Sequence, residues 1–204
     1  MRVDKVILRA VFSTLAAIAA LFLFLIFALC TIYPATMMQL TYDLGMDKLA
    51  IVNAKQAYKR TNDVYYAVFA METAIGIDDN EQIDVCGSML INDNDFLLYC
   101  EGRNEALSLD ETKGTYDQYV YGQVCVAKYN RGKKSDAVDK AFEWVGNDCF
   151  PQNNAIVAVL MTALIADDAA TVDLVETKLL AMETGAFSAN ELAYYGTWLG
   201  YAQE

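Results

Sequence analysis

Cysteines are the most nucleophilic side chains this sequence offers, and four of the five, Cys86, Cys100, Cys125 and Cys149, lie beyond an apolar N-terminal stretch. A thiol becomes a catalyst when a neighbouring base holds it as thiolate, most often an imidazole. The chain has no histidine. That rules out Ser-His and Cys-His dyads, the two-histidine zinc helix and any imidazole general base. Carboxylate, lysine and tyrosine chemistry stays open in principle. No GxSxG elbow, GxxxxGK[ST] loop or GxGxxG turn after a strand is present to organise it. The acid-rich runs DDNEQID and NDND lack the glycine and closing glutamate of a calcium loop, and no Cys-x-x-Cys pair exists for zinc. The expectation is a non-enzymatic protein with no cofactor, no metal and no catalytic residue.

The cysteines then have structural readings. Cys86 and Cys100 stand symmetrically about the turn at residue 93, each on the apolar side of its arm, a placement that allows a disulfide. The alternative is that all four are reduced, buried thiols acting as small apolar groups. How Cys125 and Cys149 would pair stays open.

These residues sit on elements that read as helices throughout. Apolar positions recur at helical spacing, and start and stop residues cut the chain into segments of about 10 to 16 residues. The first, 35–44, stops at Gly45, and the second runs 47–60. Asn62-Asp63 starts a third, with Val64, Val68, Met71 and Ile75 in one stripe up to Gly76. Asp79 and Gln82 form a capping box for a fourth, which buries Ile83, Cys86 and Leu90. After the NDND turn a fifth runs to about Ala106. Thr115 with Gln118 opens a sixth, which Gly132 closes, and Ser135 opens a seventh that ends at Gly146. AIVAVLMTALIA, the eighth, is apolar on every side but too short to span a bilayer, so it reads as a central core helix. TVDLVETKLLAMETG is the ninth, aligning Val172, Val175, Leu179 and Met182, and Ser188 with Glu191 caps a tenth. The basic turn KYNRGKK reads as solvated.

Ahead of this body, Ala10 to Tyr33 is a run of 24 uncharged residues. As a helix it reaches about 36 Å, enough for a hydrocarbon core of about 30 Å. A cleaved secretory signal would have a shorter apolar region, with small residues one and three places before the cut. Cutting after Ala35 puts Tyr33 three places back, and the cut that fits best follows Cys30, as a lesser alternative to retention. The expected organisation is a cytoplasmic tail at 1–9, a signal-anchor transmembrane helix at 10–33 and an extracytoplasmic helical domain at 34–204. Arg2, Lys5 and Arg9 before the span, against Lys48 as the first basic residue after it, set that orientation. Residues 34–204 carry 12 basic and 26 acidic side chains, a net charge of −14. Such a surface repels phosphate backbones, so the expected partners are the bilayer, through residues 10–33, and a protein at the membrane surface, not nucleic acid.

Short helices joined by short turns stack as antiparallel hairpins, because one amphipathic hairpin cannot bury its own stripe. The fold class expected is all-α, a single N-terminal transmembrane helix followed by an α-solenoid-like array. GMDKLAIVNA at 45–54 and GKKSDAVDKA at 132–141 share a glycine, an Ala-Ile or Ala-Val pair five residues on, and a further alanine. This pattern resembles the turn and second helix of a tetratricopeptide repeat. The resemblance gives Gly45 and Gly132 the role of closing a first helix. It gives Ala50, Ala54, Ala137 and Ala141 the role of letting two helices approach. The two copies stand 87 residues apart, where that family repeats at about 34. Membership would imply protein or peptide binding along a concave face.

Tyr194, Trp198 and Tyr201 share one face of the last segment and are candidate partner-binding aromatics, with packing against the ninth helix as the alternative. The leading functional reading is a membrane-anchored interaction module, a scaffold or accessory subunit of an envelope assembly. A ligand- or peptide-binding sensor domain is the second reading.

Overall fold

The structure, a computed structural model, describes residues 2–109, 114–144 and 155–181. Within them the chain forms ten α-helices and no strand. These are α1 (Arg2–Ile32), α2 (Pro34–Asp43), α3 (Asp47–Thr61), α4 (Val64–Gly76), α5 (Asn80–Ile91), α6 (Phe96–Leu107), α7 (Tyr116–Asn130), α8 (Lys134–Glu143), α9 (Ala155–Ile165) and α10 (Ala169–Ala181). The tenth segment read from the sequence, with Ser188 and Glu191, lies outside the described residues.

Helix α1 is long and apolar enough to cross a membrane over Leu8–Ile32. Its large side chains, Leu21 through Phe24 among them, face outward without protein neighbours. The joint to the body is hydrogen-bonded. The Tyr33 N–H donates to the Leu29 carbonyl at 2.8 Å, and the Met37 N–H donates to Tyr33 at 3.0 Å. Pro34 occupies the first turn of α2, where its missing N–H costs nothing. From α3, the Arg60 guanidinium donates to the Ile32 carbonyl at 3.0 Å and satisfies one of the orphan acceptors at the end of α1.

Beyond α1 the helices pack in chain order: α2 on α3, α3 on α4, α4 on α5, then α5 directly on α7, α7 on α8 and α9, and α9 on α10. Helix α6 stands aside from this succession and packs on α7. Two buried apolar clusters result. Met38, Ile51, Met71, Leu90, Phe96 and Val120 belong to the first. Cys125, Val138, Ile156, Leu160 and Val175 belong to the second. Helix α7 feeds both, so it is the shared wall of the body. Gly87 on α5 makes the α5–α7 approach possible, since a Cβ there would sit 2.2 Å from Val124 Cγ2.

One turn recurs between successive helices. Gly45, Asp78, Ser108, Gly132 and Asp167 all adopt left-handed φ, at 70°, 52°, 52°, 78° and 53°. After each, the next N–H bonds back five residues: Met46 to Thr41, Asp79 to Ala74, Leu109 to Asn104, Lys133 to Lys128 and Asp168 to Ala163, at 2.8 to 3.0 Å. This is the Schellman closure of a helix end. Glycine reaches that φ freely, and a Cβ at Gly45 or Gly132 would meet nothing within 4 Å, so conformation and not space selects glycine there. Asp tolerates the same φ better than most residues. In both Asp-Asp pairs the first residue turns the chain and the second caps the next helix. Asp79 accepts from the Gln82 N–H at 3.2 Å, and Asp168 accepts from the Thr171 N–H at 3.4 Å. Gly45 and Asp78 are 33 residues apart and Gly132 and Asp167 are 35 apart, while the interval from Asp78 to Gly132, which holds α6, is 54.

Two helix starts differ from the sequence reading. Helix α8 begins at Lys134, with Lys133 at its cap position, because the turn at Gly132 launches it directly; Ser135 lies inside the first turn. Helix α10 begins at Ala169, two residues ahead of Thr171, because Asp168 supplies the cap.

Candidate functional site

One face of α7 carries a groove of about 620 Å³. Glu72 of α4 and Arg103 and Leu107 of α6 form one side, and Val157, Ala158 and Met161 of α9 form the other. Gly122 and Ala158 make the floor, where a Cβ on Gly122 would lie 3.4 Å from that of Ala158. Small residues at this crossing keep the space open between two helices. Tyr116 and Tyr119 stand at the α4 end, their rings 5.9 Å apart.

Polar groups on the groove are tied to one another. The Tyr116 hydroxyl donates to the Glu72 carboxylate at 2.9 Å. Arg103 reaches the same carboxylate oxygen at 3.4 Å and lies over the Tyr116 ring, 5.6 Å from its centroid. Burial, with the Glu72 charge beside it, raises the Tyr116 pKa well above its ordinary value, and burial followed by Glu72 raises Tyr119. Both phenols therefore stay neutral, and that of Tyr116 serves as a donor. Among the described residues no three metal-ligating side chains converge.

Two polar atoms on the groove residues have no partner: Arg103 Nε, a donor, and Gln118 Oε1, an acceptor. Gln118 is 8 % exposed. Its amide nitrogen donates to Asp117 at 3.3 Å, which fixes which end of the amide is left over. A buried polar atom without a partner costs about 1 to 3 kcal/mol.

On the other side of α7 lies a charged network that the sequence reading placed in solvent. Asp84 of α5 is 5 % exposed and accepts from Lys128 at 3.1 Å, from Lys133 at 2.9 Å and from Arg131. Lys128 also reaches Asp136 at 2.7 Å. The turn KYNRGKK is thus folded around a buried carboxylate. Burial acts to raise the pKa of Asp84, but the hydrogen bonds from Lys133 and Lys128 outweigh it and hold the carboxyl below its usual range. A second carboxylate, Asp168, accepts from Lys134 at 2.7 Å, Thr171 at 2.6 Å and Tyr129 at 2.9 Å. Bonds from Lys134 and Thr171 lower its pKa. A signal for the first network existed in the sequence. Lys128 falls at helical spacing from Val120 and Val124, and Asp84 sits beside Ile83 on the buried face of its helix.

Of the sites read from the sequence, Ala50, Ala54, Ala137 and Ala141 are all fully buried, on α3 and α8, each directly following one of the glycine turns. Cys86 and Cys100 lie in the same apolar cluster as free thiols, so the disulfide their spacing allows is not formed in this structure. Desolvation pushes Cys86 to about 11 and Cys100 to about 12, which keeps both protonated and poorly nucleophilic. Cys125 is buried in the second cluster, also at about 12 from desolvation. Cys149, Tyr194, Trp198 and Tyr201 lie outside the described residues. The groove residues Arg103, Tyr116, Gln118, Gly122 and Ala158 escaped the sequence reading, since they come together only when α4, α6, α7 and α9 pack.

Comparison with protein-family models, with curated proteins and with solved structures returns no match to this chain.

Proposed function

We propose that the chain is a single-span membrane protein whose body, a stack of helical hairpins in the tetratricopeptide manner, binds a protein partner and catalyses nothing itself. The observation that carries the reading is the recurring left-handed turn. Its intervals of 33 and 35 residues match a period of about 34. The 54-residue interval is one such period with about 20 further residues, the stretch that holds α6 and the turn at Ser108 that closes it, which falls outside the spacing. On this reading α2–α3, α4–α5, α7–α8 and α9–α10 are successive hairpins, and α6 is an insertion between the second and third. Helices α4, α7 and α9 are then the first helices of their hairpins, and the groove they share lies on the inner face of the stack. Such faces are the extended binding surfaces of repeat proteins. An open, aromatic-edged groove without convergent carboxylates suits a protein surface better than an enclosed small ligand.

Helix α1 anchors the body, and the Lys and Arg bias ahead of it places residues 34–204 outside the cytoplasm. The test is site-specific photocrosslinking in native cells, with the crosslinker at Tyr119 beside the groove and at Tyr65, exposed on α4, followed by mass spectrometry. A reproducible protein neighbour is the expected result; recovery of none from either position overturns the reading.

A further inference from the structure

We infer that the exposed pair Leu97 and Leu98, at the start of α6, rests in the headgroup layer of the bilayer that α1 spans and gives the body a second foothold on lipid. The inference rests on the anchoring of α1 read above. Leu97 and Leu98 are 59 % and 68 % exposed, as open as the side chains of α1. Phe96 beside them is buried in the first cluster, so the turn they stand on is fixed to the body. What meets them depends on where the start of α6 lies relative to the end of α1, and a run of hydrogen bonds settles it. Arg60, in the last turn of α3, donates to the Ile32 carbonyl at 3.0 Å. Tyr58, in the same turn, donates through its hydroxyl to Asp93 at 2.6 Å. Asp93 in turn holds the start of α6, its carboxylate accepting the Asp95 N–H at 2.8 Å and its carbonyl accepting the Phe96 N–H at 3.2 Å. Leu97 is the next residue. The last turn of α3 and the first turn of α6 therefore form one bonded shelf at the exit of α1.

The depth of that shelf follows from the length of the span. Its 25 residues reach about 37 Å, more than the hydrocarbon core of about 30 Å and less than the roughly 40 to 45 Å that includes both headgroup regions. Ile32 therefore emerges inside the headgroup layer, and the shelf bonded to it stands at the same level. Tyr33, exposed at this joint, is of the type that concentrates there. The far end of α6 points elsewhere. Arg103 pairs with Glu72, two turns along α4 from its start beside Arg60, and Leu107 lies about 14 Å along the helix from Leu98. Charge does not oppose the contact. Residues 34–204 are strongly acidic, but on the shelf the exposed Lys59 and Arg60 are matched by the exposed Asp63 and Asp95. A balanced edge bearing two leucines fits a zwitterionic lipid surface with an apolar layer beneath it.

The experiment uses the full chain in phosphatidylcholine nanodiscs, a single copy per disc, with the fluorescent amino acid acridonylalanine in place of Leu98, Leu107 or Phe24. Lipids spin-labelled at the headgroup or at a shallow acyl position act as quenchers. The expected result is quenching at Leu98 about threefold or more above that at Leu107, since an interfacial foothold sits within ~10 Å of the headgroup and acyl boundary. Leu97→Asp in the chain labelled at Leu98 cuts that quenching by about half or more, because a charge disfavours the interface, while the melting temperature holds at this exposed position. Quenching at Leu98 no stronger than at Leu107 overturns the inference. Quenching that Leu97→Asp leaves intact also overturns it, since the pair is then near lipid without docking on it. Shielding of Leu98 from both the lipid quenchers and aqueous iodide overturns it in favour of a protein cover. Phe24 separates the two readings. If Phe24 is quenched and Leu98 is not, α1 still lies in the bilayer and only the foothold falls; if neither is quenched, the anchoring falls with it.

Discussion

From Ala10 onward helix α1 is apolar on every side, as is α9, and the two end in opposite places. Leu21 and Phe24 of α1 are about two-thirds exposed, whereas Ile156, Val159 and Leu160 of α9 are wholly enclosed by α7, α8 and α10. Composition does not separate them; length does. The candidate span of α1 is 25 residues, about 37 Å, and α9 is 11 residues, about 16 Å. The first matches a hydrocarbon layer of about 30 Å and the second cannot. A short helix with no polar face is stable only when its neighbours supply the apolar solvent, and burying each of its large side chains contributes about 1.5 to 3 kcal/mol.

The same substitution in both helices breaks this comparison most directly. Leu160→Asp puts an unpaired charge at the centre of the second cluster and is expected to cost more than about 4 kcal/mol, enough to unfold the body. Leu21→Asp leaves melting of the body unchanged in detergent and instead weakens membrane insertion by about 2.5 to 3.5 kcal/mol. Circular dichroism melts and carbonate extraction of membranes read the two effects; a melting loss at Leu21 would mean that α1 packs on the body.

Asp84→Asn probes a charge that the body encloses as α9 encloses its leucines. It leaves Lys128, Arg131 and Lys133 without their shared carboxylate and is expected to cost about 3 kcal/mol in urea unfolding. The pH profile follows. The folded pKa of Asp84 is depressed, so its stabilisation is fully present above the unfolded value of about 3.9 and is lost as pH falls through the folded value. Asp168, also depressed, adds a loss in the same direction. The variant should flatten stability against pH below about 4 relative to the parent chain; an unchanged slope would show the network to be dispensable.

Gly87→Ala tests close packing at the scale of one methyl. Its Cβ would overlap Val124 Cγ2, and the expected loss is about 1 to 3 kcal/mol by chemical denaturation. Gly132→Ala, which meets no neighbour, should cost less, about 1 to 2 kcal/mol from backbone conformation alone. If the two losses invert, space at Gly87 is not what holds α5 against α7.

Much of the body was legible in the residues because local signals sit where the helices end. Gly45, Gly132, Asp63 and Asp79 mark turns and caps by their own chemistry, and the stripe of Ile83, Cys86 and Leu90 reports the buried face of α5. The likeness among the turns was hidden because two use Asp and one uses Ser where the other two use glycine, so a search keyed on glycine finds Gly45 and Gly132 and passes over Asp78, Ser108 and Asp167. The groove was illegible for a different reason. Arg103 and Glu72 are 31 residues apart, Gly122 and Ala158 are 36 apart, and nothing local says that they meet. The Asp84 network hid behind a prior that basic runs are solvated, although Lys128 falls on an apolar stripe.

The Arg60 bond to the last carbonyl of α1, with the continuous backbone bonds across Tyr33, resists free rotation at the joint. With α1 in a bilayer, twisting the body about the membrane normal means breaking that bond or bending the chain at Pro34. The azimuth of the groove is then set once, at folding. Neighbouring copies in one membrane would present it at a constant angle to their own anchors.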